Sequence, residues 1–230
     1  MASISSLLWF VLPALLSAFF VLALIGPARH VGLVDHPVGR KNHSVPTPLV
    51  GGVAIFLALG LTHWLAGDIV SQSASLVIAL LVTVGIGVAD DAHEIGHRSK
   101  FFAQLIAALV IVSGTEIQVT HLGDIFALGD VVLEKWSYLV TVIAIIGLMN
   151  AINMIDGLDG LAGTQVLIPL LMFLGVAYAA GDAASARELM ILAGAISGFL
   201  LFNLRAPWLK RALVFMGDTG GLLLGLLLAW

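Results

Sequence analysis

The sequence predicts an all-α, polytopic transmembrane protein, a bundle of about eight helices. Hydrophobic residues make up 60% of the 230 residues, charged residues only 10%, and the mean hydropathy is +1.09. A soluble domain carries roughly 25% charged residues, so a soluble class is excluded. The apolar residues also fall into runs, most of them close to the roughly 20 residues that a helix needs to cross a bilayer. These runs are 7–26, 49–67, 74–89, 101–115, 136–153, 161–180, 189–204 and 212–230.

No soluble domain or internal repeat separates these runs, so residues 1–230 are predicted to form a single integral membrane domain. Each run is expected to be helical, because backbone groups in lipid must be hydrogen-bonded within their own segment. The first six residues contain no Lys or Arg, so the first run is interpreted as a retained transmembrane helix and not a signal peptide. The absence of Cys excludes disulfides, thiolate metal sites and Cys nucleophiles.

The basic residues lie almost entirely on one side of the predicted bundle. When the connections are assigned to alternate sides, 27–48, 90–100, 154–160 and 205–211 carry eight of the ten Lys and Arg residues. The positive-inside rule makes that side cytoplasmic and both termini extracytoplasmic. On the other side, residues 116–135 combine apolar residues with Gly-Asp pairs, which predicts a small extracytoplasmic β-hairpin.

Three acidic motifs fall on the predicted cytoplasmic side. Asp90-Asp91 ends the third run, Asp156 and Asp159 follow the fifth, and Asp218 lies at the start of the eighth. Each motif alone is explained by a solvated helix end, a turn or an N-cap. Together they favour a phosphate site that holds Mg²⁺ or Mn²⁺, because these ions prefer hard oxygen ligands and share them with substrate phosphates.

The connection after the fifth run is unusually polar for its surroundings. Asn150, Asn153 and Asp156 are three residues apart, so a helical continuation places them roughly on one face, and Asp159 follows three residues later. Burying four such groups beside apolar segments is costly unless a polar partner meets them. A cap and a turn would explain Asp156 or Asp159 singly, but the whole set favours a binding site.

The loop before the second run carries Lys41 and His43, which are suited to hold phosphate or lipid headgroups. Ordinary positive-inside charge is the alternative explanation for this loop.

At these motifs the sequence resembles the polyprenyl-phosphate N-acetylhexosamine-1-phosphate transferases, which form glycosyltransferase family 4. The resemblance spans nearly the whole chain, and the motifs appear in the family's order. The motifs are Pro46–Gly52, Asp90-Asp91 with Glu94, Lys100–Gln104, Asn150–Gly163 and Phe215–Gly220.

The resemblance implies a reaction in which undecaprenyl phosphate attacks the β-phosphate of a UDP-sugar. The products are a lipid-linked diphosphate sugar, the first intermediate of a cell-envelope glycan, and UMP. Glu94 and the basic loop 40–43 are similar to the WecA-like branch, so N-acetylglucosamine 1-phosphate is the expected group. The implied setting is the bacterial plasma membrane with a cytoplasmic active site. Membrane lipid is an expected partner, nucleic acid is not, and a homodimer is left open.

The resemblance also implies roles for individual residues. Asp90 and Asp91 are the expected catalytic residues, with Asp90 deprotonating or orienting the lipid phosphate. Asp218 is the expected principal Mg²⁺ (or Mn²⁺) ligand, supported by Asp91. The expected substrate-binding residues are Lys41, His43, Asn150, Asn153, Asp156, Asp159 and Phe215, the last by stacking on uracil.

One departure from the family opens alternatives. The family continues beyond the Asp218 helix with further membrane segments and a His-containing loop, whereas this chain stops at Trp230 and has no His after His121. The chain is therefore expected to be C-terminally truncated, and a non-catalytic membrane remnant is one alternative. An ion-coupled transporter is another, and it predicts carboxylates at mid-bilayer depth and not at helix ends.

Overall fold

The computed structural model describes residues 4–37, 45–68, 74–115, 117–125, 127, 129–207 and 209–230. Within these ranges the chain forms eight α-helices, which confirms the predicted all-α bundle. The helices are α1 (Ile4–Val31), α2 (Gly51–Ala66), α3 (Ala74–His93), α4 (His97–Gly114), α5 (Ser137–Ile155), α6 (Leu161–Ala180), α7 (Ala183–Asn203) and α8 (Gly217–Ala229). A two-stranded antiparallel sheet pairs β1 (Val34–Asp35) with β2 (Thr47–Pro48).

Five helices of the described chain, α1, α3, α5, α6 and α7, are long and apolar enough to cross a membrane. Two others, α2 and α8, are apolar but shorter, with 16 and 13 residues. Many large apolar side chains on the long helices are exposed, as expected of surfaces that face lipid. The protein is therefore a multi-pass membrane protein.

Helix α8 packs at the centre of the bundle against α2, α3 and α5, and residues 219–226 are buried. Glycine residues at the contacts allow the helix backbones to approach this closely. A methyl group added at Gly52 on α2 would clash with the backbone of Gly220, and one at Gly225 would clash with the backbone of Met149 on α5. In a bilayer, helix association depends on close van der Waals packing, which small residues at the contact permit.

The eighth apolar run begins at residue 212, but its first residues are not helical, and α8 begins at Gly217 within the 215–220 motif. The residues before α8 instead pair with the chain around β2. The amide of Phe215 donates to the Pro48 carbonyl over 2.9 Å, and the Phe215 carbonyl accepts from the amide of Gly51 over 3.0 Å. This pairing brings two distant sequence motifs, 46–52 and 215–220, side by side at one end of the bundle.

The hairpin predicted within 116–135 is present in the described part of that loop. A single antiparallel bridge joins His121 to Val132, and the amide of Leu122 donates to the carbonyl of Val131 over 3.0 Å. This hairpin lies at the end of the bundle opposite β1 and β2, because it connects the end of α4 to the start of α5. The short β1–β2 sheet was not predicted from the sequence.

Candidate active site

A cavity of about 1250 Å³ opens at the end of the bundle where α3 and α5 end and α8 begins. All three acidic motifs reach it. The acidic residues in its lining are Asp35, Asp90, Asp91, Glu94, Asp156, Asp159 and Asp218, and Arg29, Arg205 and Arg211 are also there. Carboxylates from distant parts of the chain therefore share one cavity at helix ends, which is not the mid-bilayer position that a transporter predicts.

Lys100, in the first turn of α4, joins two of these carboxylates. Its Nζ lies 2.5 Å from Oδ2 of Asp90 and 3.1 Å from Oδ2 of Asp218. The Asp90 side chain is only 6% exposed and that of Lys100 18%, so the contact is poorly screened by solvent. An ammonium group in this position offsets the repulsion of two acids that would otherwise face each other.

Asp91 points in a different direction from Asp90, toward the first turn of α8. Its Oδ1 accepts a hydrogen bond from the amide of Asp218 over 2.7 Å. Its Oδ2 accepts from the amide of Thr219 over 3.1 Å and from the Thr219 hydroxyl over 2.6 Å. These three hydrogen bonds of Asp91 join the end of α3 to the start of α8.

Asp156 follows α5 and lies near several other acids. Burial, together with the charges of Asp218, Asp91 and Asp159, raises the pKa of Asp156 to about 7. A carboxyl group in this setting is favoured in its neutral form, or beside a cation that offsets the surrounding negative charge.

Asp159 lies in the turn between α5 and α6 and contacts the segment that precedes α8. Its Oδ2 accepts from Nε of Arg205 over 2.7 Å and from the amide of Ala212 over 3.1 Å. Asn203, which is 3% exposed, makes a parallel connection: its Oδ1 accepts from the amide of Gly160 over 2.8 Å, and its Nδ2 donates to the carbonyl of Val214 over 2.9 Å. Both residues line the cavity and hold its walls together.

Asn150 and Asn153 are both predicted site residues, but their surroundings differ. Asn153 lines the large cavity, and its side chain lies near the Asp218 carboxylate. Asn150 faces α4, where its Nδ2 donates to Oε1 of Gln104 over 2.7 Å and its Oδ1 accepts from Nε2 of Gln104 over 3.3 Å. It lines a smaller neighbouring cavity of about 230 Å³, which Lys100 and Asn153 also border.

The remaining predicted substrate residues divide into two groups. Phe215 lines the large cavity. Lys41 and His43 lie outside the described residues, although both sides of their loop, Asp35 and Val45–Thr47, border the same cavity.

Three functional candidates were missed or left without a role by the sequence analysis. They are Lys100, Thr219 and Asn203. Lys100 is the last cation before an apolar run, and Asn203 is a lone amide at the end of one. Each is costly to place there without a polar partner, which is the signal that would have indicated them.

The opposite end of the bundle holds a separate charged cluster. Among the described residues, His63, Asp68 and Glu188 are the one group of three His, Asp or Glu whose ligand atoms lie within 4.8 Å of one another. Arg187 pairs with both carboxylates and also lies over the ring of Trp9 at 4.9 Å. These contacts join α1, α2 and α7 at the end of the bundle opposite the large cavity.

The donors in the large cavity fit a hard divalent cation. Asp90 on α3 and Asp218 on α8 offer carboxylate oxygens on either side of the position where Lys100 already provides positive charge. Mg²⁺ is typically held by one or two carboxylates, with water and substrate phosphates completing its shell. The size and the acidic lining of the cavity are compatible with that mode.

The fold and the cavity define a class, a polytopic membrane protein with a carboxylate-lined cavity at one end of its bundle. The family model of glycosyl transferase family 4 matches residues 73–230, and the chain belongs to that family.

Several curated relatives are named undecaprenyl-phosphate α-N-acetylglucosaminyl 1-phosphate transferase. The one from Haemophilus influenzae is 33% identical over 216 residues, which cover 94% of this chain and 61% of the relative. The Escherichia coli K12 relative is 31% identical over 204 residues, covering 88% of this chain and 55% of the relative. The Salmonella typhi relative is 28% identical over 94% of this chain and 59% of its own length. The chain thus spans about three fifths of the length of the relatives it matches.

Proposed function

We propose that the protein transfers a sugar 1-phosphate, N-acetylglucosamine 1-phosphate, from a UDP-sugar to undecaprenyl phosphate and releases UMP. The observation that carries the proposal is the convergence of Asp90, Asp156 and Asp218 on one cavity, with Lys100 between two of them. The names of the relatives, which specify undecaprenyl phosphate and an N-acetylglucosaminyl 1-phosphate group, support the choice of substrates.

The size and position of the cavity suit two phosphorylated reactants of different origin. A volume of about 1250 Å³ exceeds the usual range for a single small ligand. Its position at helix ends gives access to water for a nucleotide sugar. The second cavity, beside exposed Phe101 on α4, extends the site toward the lipid. A lipid acceptor and a water-soluble donor can therefore meet without either leaving its own phase.

In the proposed reaction, an oxygen of the lipid phosphate attacks the β-phosphorus of the UDP-sugar. A new P–O bond forms as the bond from that phosphorus to the bridging oxygen breaks, and UMP leaves with the electron pair. Asp90 orients the lipid phosphate, or accepts its proton if the phosphate is monoprotonated. The Lys100 ammonium, which lies against Asp90 and Asp218, neutralises phosphate oxygens. Such positioning and charge neutralisation supply most of the catalysis in phosphoryl transfer.

Mg²⁺, or Mn²⁺ in its place, is the proposed cofactor. Asp218 would hold the ion, with Asp90 as a neighbouring oxygen donor. When bound, the ion supplies charge stabilisation for the diphosphate. Asp156 and Phe215 face the same cavity and are proposed to contact the diphosphate and the uracil base.

The proposed orientation places the cavity on the cytoplasmic side of the bacterial plasma membrane. The support is the distribution of basic residues, because Arg29, Arg205 and Arg211 line the cavity and the positive-inside rule assigns such loops to the cytoplasm.

The test uses membranes that contain the 230-residue chain, with undecaprenyl phosphate, Mg²⁺ and labelled UDP-N-acetylglucosamine. Release of UMP together with labelled lipid, both abolished by EDTA, is the expected result. Asp90→Asn and Asp218→Asn should each lower the rate by at least about 100-fold, whereas Asp130→Asn, at the opposite end of the bundle, should not. An inert wild-type chain, or activity that survives both cavity substitutions, would refute the proposal.

A further inference from the structure

The two adjacent acids at the end of α3 face different partners. Consecutive residues of an α-helix point roughly 100° apart, so Asp90 and Asp91 cannot both face Lys100. Asp90 pairs with Lys100, whereas Asp91 meets three hydrogen-bond donors on α8. Asp90 therefore faces the charged groups of the cavity, and Asp91 faces the start of α8.

The start of α8 has no side-chain cap of its own. Its N-cap residue, Met216, makes no capping hydrogen bond, and the first amides of a helix have no partner within that helix. Asp91 supplies the missing acceptor from α3, because both of its oxygens accept from the amides of Asp218 and Thr219. A carboxylate at this position also interacts favourably with the helix dipole.

The backbone around this contact is built to admit the Asp91 carboxylate. Gly217 has a φ of +73°, a conformation that favours glycine, and a Cβ at that position would lie 2.6 Å from Oδ2 of Asp91. One turn before Asp91, Gly87 lets α3 approach so closely that a Cβ there would clash with the backbone of Thr219. Gly87 and Asp91 lie on one face of α3, so the close approach and the cap belong to the same contact.

A carboxylate has about four lone-pair positions, and three hydrogen bonds occupy most of those of Asp91. A metal ion would have to compete with these donors. Asp218, in contrast, has its amide held by Asp91 while its side chain reaches Lys100 and Asn153 in the cavity.

We propose that Asp91 is a positioning residue that caps α8 from the neighbouring helix and thereby fixes the direction of the Asp218 side chain, without itself binding the metal. This replaces the expectation that Asp91 is a metal ligand. The part of the inference that concerns metal rests on the proposed function, and the capping part does not.

The capping part is tested by hydrogen–deuterium exchange on the purified chain in EDTA. Asp91→Ala should speed exchange at the amides of residues 218 and 219 by about tenfold or more, because charge-assisted hydrogen bonds are lost. Thr219→Val, a milder change that removes only the hydroxyl donor, should speed exchange at the same amides by a smaller factor. Glu94→Gln removes an exposed acid from the same cavity and is the matched control. Unchanged exchange in Asp91→Ala would overturn the proposal.

The metal part is tested by Mn²⁺ binding, followed by electron paramagnetic resonance on the same samples. Asp218→Asn should weaken Mn²⁺ binding by at least about 100-fold, and Asp91→Asn, which keeps one acceptor oxygen, by less than about tenfold. Equal losses in the two variants would make Asp91 a ligand and overturn this part. If the wild-type chain binds no Mn²⁺, the proposed function fails together with the metal part, and hydrogen exchange still decides whether Asp91 is the cap.

Discussion

Asp156 offers a quantitative test of the electrostatics of the cavity. In the folded, metal-free protein, burial and the charges of Asp218, Asp91 and Asp159 raise its pKa from 3.8 to about 7. Between these values the folded protein retains a proton that the unfolded chain has released. Its contribution to stability is therefore complete below about pH 4 and is lost as the pH rises through 7.

The size of this loss of stability follows from the interval between the unfolded and folded pKa values of Asp156. Each pH unit within it changes the free energy of unfolding by about 1.4 kcal/mol, so a rise from pH 5 to pH 7 should remove about 2 kcal/mol. Asp156→Asn carries no titratable group at this position and should not suffer this loss. For a chain of this size, 2 kcal/mol corresponds to a shift in Tm of about 4 to 8 °C.

The assay is thermal unfolding of the detergent-solubilised chain in EDTA at pH 5, 6, 7 and 8. The Tm of the wild-type chain should fall more between pH 5 and pH 8 than the Tm of Asp156→Asn. Glu94→Gln, which removes an exposed acid from the same cavity, should show the same fall in Tm as wild type. Mg²⁺ should restore more of the wild-type Tm at pH 8 than at pH 5, because a cation offsets the charge of ionised Asp156. Identical pH dependence in wild type and Asp156→Asn would refute the reasoning.

Three further predictions concern contacts that hold the helices around the cavity. Lys100→Met leaves two carboxylates without their cation and should cost about 3 kcal/mol in EDTA, with partial recovery in Mg²⁺; an unchanged Tm would contradict the ion pairs. Gly52→Ala should cost about 1 to 3 kcal/mol, because its methyl group would clash with Gly220. The control is Gly60→Ala on the same helix, α2, because a methyl group added at Gly60 would meet no atom within 4 Å. Equal losses of stability in the two variants would argue against the close contact between Gly52 and Gly220. Asn203→Leu should lower Tm and speed proteolysis between α5 and α6, because the amide of Gly160 loses its acceptor; unchanged proteolysis would contradict that connection.

The helices could be predicted because the hydropathy of a membrane segment is an average over many residues. The start of α8 could not, since Leu213, Val214 and Phe215 are as apolar as the helix that follows. Phe215 instead pairs with the chain around Pro48, a contact more than 160 residues away in sequence that a local pattern cannot reveal. The β1–β2 sheet escaped prediction for a similar reason, because each strand has only two residues.

The candidate site was predicted at the level of motifs but not of individual contacts. Alternation of the crossings placed the acids on one side of the bundle, and the cavity confirms that they share one end. The different partners of Asp90 and Asp91 could not be foreseen, because their charge and hydropathy are identical. Their directions depend on the rotation of α3 against α8, which the contact of Gly87 with Thr219 sets.

Asn150 illustrates the same limit. Its spacing from Asn153 predicted a shared role, yet its amide pairs reciprocally with Gln104, which is 1% exposed. A helical pattern defines which residues share a face but not which neighbouring helix that face meets.

The central claim is that distant carboxylates form one cation site at the large cavity. The most direct measurement is the anomalous scattering of Mn²⁺ in crystals of the chain. We expect a Mn²⁺ peak in the cavity with an oxygen of Asp218 at about 2.0 to 2.3 Å, the range for hard-cation ligation, and no such peak in Asp218→Asn crystals. A peak found only beside His63, Asp68 and Glu188, at the opposite end of the bundle, would contradict it.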